Sequence, residues 1–500
     1  MKTRLLMLLS AIAVLMSSCS KKSTTLDVVP ADVDMVFVVD AQAGIEVYDI
    51  DITSDKMVFP KDFPDSLIPA EVQEAIAKVY NALDMSSLVM FAKAPTSTCE
   101  PAVNVVAGVK DADLLKQLLT DTFGATETKG GYQLSSDFGV YLKDGLAWFT
   151  SGDSESIDAT IKAASNNSFF SGKIAGAKMP EGMCTFYLNT SFIASTAADY
   201  SAYLDASQRM MLSTAADYLS GKWVIATTDI KGEECITRVV ACDSEGELLE
   251  VPFLKNIDSD FLACVPANFD TVLAGALDDD ALKFICSIYD SYGAGIFNPV
   301  LSEKIATLLR GLEGDFFLAC DVNKLLTSES ENWCAGVELD KEARAVALSA
   351  IAEAARTDMT RFQVTETPES VTLIHPFSPA VTVRIEGDYL VFTTVPDATG
   401  GNTALKGFVD DHLLAFGMIA ENMGLIFPDS DFGMEFGAYF DPKSFTCTVK
   451  YSKPLPHVLA SMLKAIYGNI NRSSYATEPD WNYADTIDEP EYIEPEVLNY

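Results

Sequence analysis

The chain has 500 residues, 48% hydrophobic and 10% aromatic, which is enough to bury a substantial core and too apolar for a disordered polypeptide. That length accommodates two or three ordinary domains. A formal net charge of −37 argues against functions that depend on neutralising phosphate, nucleic-acid binding above all, and against charge-driven adhesion to an anionic lipid surface.

In chain order, Lys2 and Arg4 precede a mostly apolar run over 5–16, and Ser17-Ser18-Cys19 follows. A basic start, a short apolar middle and small residues before a cleavage point read as a secretory signal peptide over 1–18. The run is shorter than the roughly 20 apolar residues that span a bilayer as a helix. The cysteine after the small residues resembles the lipobox of bacterial lipoproteins. That resemblance implies cleavage before Cys19, acylation of its thiol with chains such as palmitate, and a membrane as partner through that lipid. Residues 19–27 are then a short polar tether.

Val29-Pro30-Ala31-Asp32-Val33-Asp34-Met35-Val36 leads into a strand predicted over 35–39. A helix is predicted over 70–83, with Pro69 placed for its first turn. Strands follow over 87–91, 103–109, 132–134, 140–142 and 146–150, the last two joined by the hairpin sequence Lys143-Asp144-Gly145. Helices are predicted over 153–164 and 207–219, the second closed by Gly221. A hairpin of 223–228 with 235–242 ends this stretch.

The same grammar then returns. Val265-Pro266-Ala267-Asn268-Phe269-Asp270-Thr271-Val272 echoes the first start, and Ala335-Gly336-Val337 echoes Ala107-Gly108-Val109. Echoes also link 76–83 with 305–312, 144–150 with 387–393 and 234–239 with 445–450. Five matches in one order mark a domain-scale duplication, far longer than the roughly 20–50 residues of solenoid repeats. In the second copy, helices are predicted over 280–289, 302–312 and 340–355. Strands are predicted over 271–275, 381–385 and 389–394, around Glu386-Gly387-Asp388, with a final hairpin of 436–440 and 445–451. Hairpins dominate, and Gly-rich strand–helix–strand crossovers are missing. The expected fold is therefore α+β: two internally duplicated halves, 28–255 and 256–470, each of mainly antiparallel sheet with packed helices. A pseudo-twofold arrangement would leave a cleft between them. Residues 471–500 carry eight acids against one base and three prolines, the composition of a disordered acidic tail. Their interleaved Tyr475, Trp481, Tyr483, Tyr492 and Tyr500 also suit a strip that docks on a partner or on the body itself.

The segment Cys19-Ser20-Lys21-Lys22, followed by Val29-Pro30-Ala31-Asp32 at the head of a strand, resembles an uncharacterised Bacteroidetes lipoprotein family, domain of unknown function 4836. The duplicated body extends that resemblance over most of the mature chain. The family implies an envelope address and brings no activity, cofactor or catalytic residue. In that phylum, acids after the cysteine direct lipoproteins to the outer face. Ser20-Lys21-Lys22-Ser23 departs from that pattern, which implies an outer-membrane anchor facing the periplasm.

Catalytic motifs are missing from the sequence: no Gly-x-Ser-x-Gly, no His-Glu-x-x-His and no phosphate loop. His375 adjoins a predicted strand, while His412 and His457 fall in helical contexts. Asp137-Phe138-Gly139 and Asp431-Phe432-Gly433 read as turns. Asp278-Asp279-Asp280 reads as a helix cap. Asp258-Ser259-Asp260 and Asp429-Ser430-Asp431 lack the glycine and distal glutamate of a calcium loop. Nine cysteines besides Cys19 sit largely in apolar strings and read as small buried hydrophobes. Cys235 and Cys242, at an odd separation on one predicted strand, should point to opposite faces. No catalytic, cofactor-binding or metal residue is assigned. The expected function is a non-enzymatic binding or assembly module of the cell envelope, with an envelope protein or glycan as partner. The alternative is a carboxylate-dependent hydrolase acting on glycans or peptides in a cleft between the repeats.

Overall fold

Alternating apolar stretches form strands, and the three- and four-spaced ones form helices, in a computed structural model. It describes residues 24–60, 69–93, 102–177, 182–191, 209, 220–293, 298–326, 332–358, 362–425, 427, 430–462 and 464. The signal segment, Cys19, the acidic tail and all of the helix expected over 207–219 except position 209 lie outside the described residues.

In the first stretch the strands are β1 (Met35–Val39), β4 (Leu83–Ala92), β5 (Asn104–Val109), β6 (Thr126–Thr128), β7 (Gly131–Ser135), β8 (Phe138–Lys143), β9 (Leu146–Thr150), β10 (Cys184–Asn189), β11 (Trp223–Lys231) and β12 (Glu234–Cys242). A short separate hairpin pairs β2 (Asp51–Ile52) with β3 (Met57–Val58). In the second stretch they are β13 (Thr271–Ala276), β14 (Leu312–Cys320), β15 (Trp333–Leu339), β16 (Gln363–Glu366), β17 (Ser370–His375), β18 (Ser378–Glu386), β19 (Tyr389–Thr393), β20 (Leu414–Ala420), β21 (Met434–Asp441) and β22 (Ser444–Tyr451).

Twenty of these strands belong to one sheet, and every pair in it is antiparallel. Pairings run β6-β7-β8-β9-β5-β4-β1-β10-β11-β12 across the first stretch. They continue β22-β21-β20-β13-β14-β15-β19-β18-β17-β16 across the second. The seam is β12 against β22, in register from Glu234↔Lys450 to Val239↔Phe445. The chain is thus mixed α+β, dominated by a large antiparallel sheet.

Apolar side chains emerge on both faces because each face is covered over much of its length. On one face Val36, Trp148 and Ile225 pack with Val29, Ile157 and Phe169, and Val272, Phe317 and Val391 pack with Phe261, Val265 and Leu405. On the other, Val39, Ala107 and Ala147 meet Val79 and Ala82 of the helix Ala70–Ala82 and Leu115 of the helix Ala112–Gln117. There, Val383 and Leu390 meet Ala343 and Ala347 of the helix Lys341–Asp358.

Local predictions hold at most element cores and slip at ends. Pro69 precedes its helix as the cap residue instead of occupying the first turn. β4 starts at Leu83, directly out of that helix and ahead of the expected 87–91. The helix expected over 302–312 is Pro299–Arg310, with Pro299 in its first turn and Asn298 capping Leu301 N at 3.0 Å. Asp144 (φ 53°) and Gly145 (φ 76°) make the tight turn between β8 and β9, since two successive left-handed residues match the strand twist. Phe138 and Gly139 belong to β8, not to a turn. The helix Ala41–Val47, unanticipated, is nucleated by Asp40, whose carboxylate accepts from Gln42 N and Ala43 N.

Candidate functional site

The start of β14 reads Leu312-Glu313-Gly314-Asp315. Leu312 pairs with Leu339, and regular pairing resumes only at Phe316 with Val337. Three residues of β14 therefore face the single Glu338 of β15, a bulge that re-aims side chains off the ladder. Gly314 permits it. Its φ is +116°, and a Cβ there would lie 2.4 Å from the Leu277 carbonyl. Beside the bulge, Lys255 N donates to Ala276 O at 2.9 Å and Leu254 bridges Leu277, which brings the chain at 255–258 alongside.

Asp315 is 4% exposed. Its Oδ2 accepts from Asp258 N at 3.3 Å, while its Oδ1 is buried without a hydrogen-bond partner. Glu338 stands as a hydrogen-bonding neighbour of Asp315, and Glu313 stands beside Glu338. Two carboxyl groups can bond to one another only through a proton. Burial pushes Asp315 up to about 6, opposed by the Asp258 backbone amide and by Lys255. Burial pushes Glu338 up to about 6 as well, helped by the charges of Asp315 and Glu313. Lys255 Nζ donates to Glu313 O at 2.6 Å. Buried Tyr389 feels the same acids, and its phenol is held protonated by burial and by Asp315 and Glu338.

Lys255, Glu313, Asp315 and Glu338 line a cleft of about 420 Å³. Asp258, Asp279, Glu313, Asp315 and Glu338 face it against one cation, Lys255, while Leu282 and Leu312 form an apolar wall. The cleft lies within 255–338, on the second stretch, instead of between the two stretches. Chemically it can exchange a proton near neutrality and can hold positive charge. Among the described residues, no three His, Cys, Asp or Glu side chains are grouped so as to hold a metal ion.

The residues singled out from the sequence lie elsewhere or serve as caps. Asp278 accepts from Asp280 N and Ala281 N at the head of the helix Asp279–Ile288, and only Asp279 of that triplet reaches the cleft. Asp258 caps the turn Ser259–Ala263 through Asp260 N. His412 lies in a loop instead of a helix, stacks on Tyr439 at 3.9 Å and bonds Asp441 at 2.8 Å. His457 bonds Asp431 at 2.7 Å. His375 closes β17 between Phe362 and Phe377. Eight cysteines are described, all free, and burial pushes the thiols of Cys242, Cys264 and Cys334 upward. Cys235 and Cys242 share β12, facing Ile230 and Trp223. Among the described residues no helix is long and apolar enough to cross a membrane.

Sequence reasoning missed Lys255, Glu313, Asp315 and Glu338. The available signal was Glu313-Gly314-Asp315, a glycine between acids where an apolar strand begins. Comparison with protein-family models, curated proteins and solved structures finds no match to this chain.

Proposed function

We propose that the protein is a lipid-anchored module of the cell envelope, held to a membrane through Cys19, that binds or assembles partners without catalysing a reaction. It is built from two copies of one α+β unit. The observation that carries the duplication is the strand order. Read from its outer edge, each ten-strand run has the same sequence of partners, and the last strand of one run meets the last strand of the other. A local twofold axis requires such an antiparallel meeting of equivalent strands.

The two Val-Pro-Ala starts support the same reading. Val29 and Val265 are both fully buried, and Pro30 and Pro266 each form an isolated bridge, to Ser168 and to Gly400. Ala31 N donates to Asn167 O and Ala267 N to Thr399 O. The Val29-Pro30-Ala31-Asp32 start is also the ground for setting the chain beside the lipoproteins of domain of unknown function 4836.

Fractionation of the full chain against Cys19→Ala tests the anchor: the parent should sediment with membranes and the variant should not. Equal distribution overturns it. Capture of envelope partners by the full chain, and by a chain lacking 471–500, tests the binding role, and no specific partner in either would overturn that part. The carboxyl pair Asp315 and Glu338 favours one second reading, hydrolysis of glycans or peptides by a general acid and its partner carboxylate. Turnover of such substrates, abolished by Asp315→Asn, would replace the first reading with the second.

A further inference from the structure

We propose that the tip of the β17–β18 hairpin, with Phe377 at its apex, inserts into the interfacial region of a net-neutral phospholipid bilayer. This deepens the anchored-module reading and rests on it, since it names a second contact with the membrane that holds Cys19. Phe377 is 89% exposed, and Ile374 beside it is exposed too. Pro376, Ser378, Pro379 and Ala380 are also exposed, so the tip is an almost wholly apolar projection. One exposed apolar side chain is ordinary, whereas a cluster of them on a projecting turn marks a contact surface. The turn itself does not require them. In the other run, the hairpin at the same place in the strand order is β7–β8, which turns through exposed Ser136 and Asp137 with Phe138 half-buried.

Three features select lipid over a protein partner. The stretch 370–383 carries no Asp, Glu, Lys or Arg in a chain of which 21% is charged, and Glu366, Glu369, Arg384 and Glu386 close it on both sides. A protein interface sets a polar rim close around its apolar centre, whereas a bilayer excludes charge over the whole inserted length. Backbone donors at the tip are also few and answered within the chain. Pro376 and Pro379 carry no N–H, Phe377 N donates to His375 Nδ1 at 3.3 Å, and His375 pairs with Ser378. Hydrocarbon offers no acceptor to a free amide, so these arrangements lower the cost of insertion. The rings, finally, form one stack: Phe362 lies 5.2 Å from His375, and His375 lies 5.8 Å from Phe377. Aromatic rings carrying a polar group between them match the headgroup level of a bilayer. The contact is apolar, so a net charge of −37 does not oppose it on a zwitterionic surface.

The full chain reconstituted in phosphatidylcholine vesicles, carrying Phe377→Trp or Phe253→Trp, tests this. Phe253 is 58% exposed and accepts from Asp278 N, at the other end of the neighbouring strands. Above the parent's own tryptophan emission, Phe377→Trp should add emission that brominated phosphatidylcholine quenches at least twofold. The emission added by Phe253→Trp should be unchanged, and phosphatidylglycerol should not strengthen the quenching at the tip. No quenching of Phe377→Trp, equal quenching at both positions, or a gain with phosphatidylglycerol overturns the proposal. So does a lipid-independent blue shift that grows with protein concentration, which would place a second copy on the tip. Vesicle flotation reads the anchor separately. A chain that floats with Phe377→Trp unquenched loses the tip contact and keeps the anchor. If the chain does not float, the anchor falls, and quenching at millimolar lipid still decides the contact.

Discussion

Asp315→Asn should make the protein more stable at neutral pH, and the structure sets the size of the gain. The native carboxyl ionises near 6, against 3.8 for the unperturbed group. Each tenfold shift is worth about 1.4 kcal/mol, so the ionised, buried carboxylate costs about 3 kcal/mol once pH exceeds its native value. The sign follows from where the proton sits. Between 3.8 and about 6 the folded state holds a proton that the unfolded chain has released. Stability of the parent is therefore fullest below 3.8 and falls as pH rises through about 6. The amide removes the titration, can still accept from Asp258 N, and removes the Asp315 charge from beside Glu338. The expected gain is about 2–3 kcal/mol at pH 7.5 and about 1 kcal/mol at pH 4.5. With an unfolding entropy of about 2.1 cal/mol/K per residue over 500 residues, that is a rise in Tm of about 3 °C at the higher pH. Urea melts and scanning calorimetry at both pH values measure it. A loss of stability at pH 7.5, or equal shifts at the two pH values, would refute the electrostatic account of the cleft.

Two further outcomes are expected. Thr237→Pro, which faces Thr228 on one side and Cys447 on the other, should break the β12–β22 seam at a cost of about 3 kcal/mol or more. One calorimetric transition should then split into two, and a single unsplit transition would count against two separable units. Asn402→Ala should destabilise by about 3 kcal/mol in urea, because the 1% exposed amide donates to Pro266 O at 2.9 Å and Phe269 O at 2.8 Å and accepts from Leu405 N. A change below about 1 kcal/mol would mean that water replaces all three bonds.

Much of the fold was legible because it is written in local chemistry. Lys143-Asp144-Gly145 fixes a hairpin through two left-handed residues, and Asp153 caps the helix Ser154–Asn166 through Ser156 N. Both signals act over four residues or fewer, which a sequence displays directly. The acidic cleft was not legible for the opposite reason. Glu338 meets Asp315 only because a bulge at Gly314 throws three residues against one, and no spacing between positions 315 and 338 announces that register. His412 illustrates the same limit. It lies near apolar residues with helical spacing, yet the Asp410–His412 stretch turns through a left-handed Asp411 (φ 64°) into β20.

In each run a register break follows directly on a helix, and the two corners are filled differently. β4 also breaks register at its start, between Asp84 and Val89, as it leaves a helix. There the polar groups are answered within the chain. Asp84 accepts from Ser86 N at 3.1 Å and Ser86 Oγ at 2.8 Å, and Ser87 bonds Thr25 at 2.7 Å beneath the surface. In β14 the corresponding corner carries Glu313, Asp315 and, across the ladder, Glu338, and Asp315 Oδ1 is left without a donor. A bulge of this kind costs regular pairing whichever residues occupy it. Where Ser86 donates to the Asp84 carboxylate the cost is offset locally and the corner is structural. At Asp315 no such hydroxyl donor is at hand, and stability is lower at neutral pH than the same backbone allows. Local conflicts of this kind are expected at functional or strained sites. If the runs descend from one unit, the first shows what the bulge needs in order to fold, and the second shows what has been placed there beyond that need.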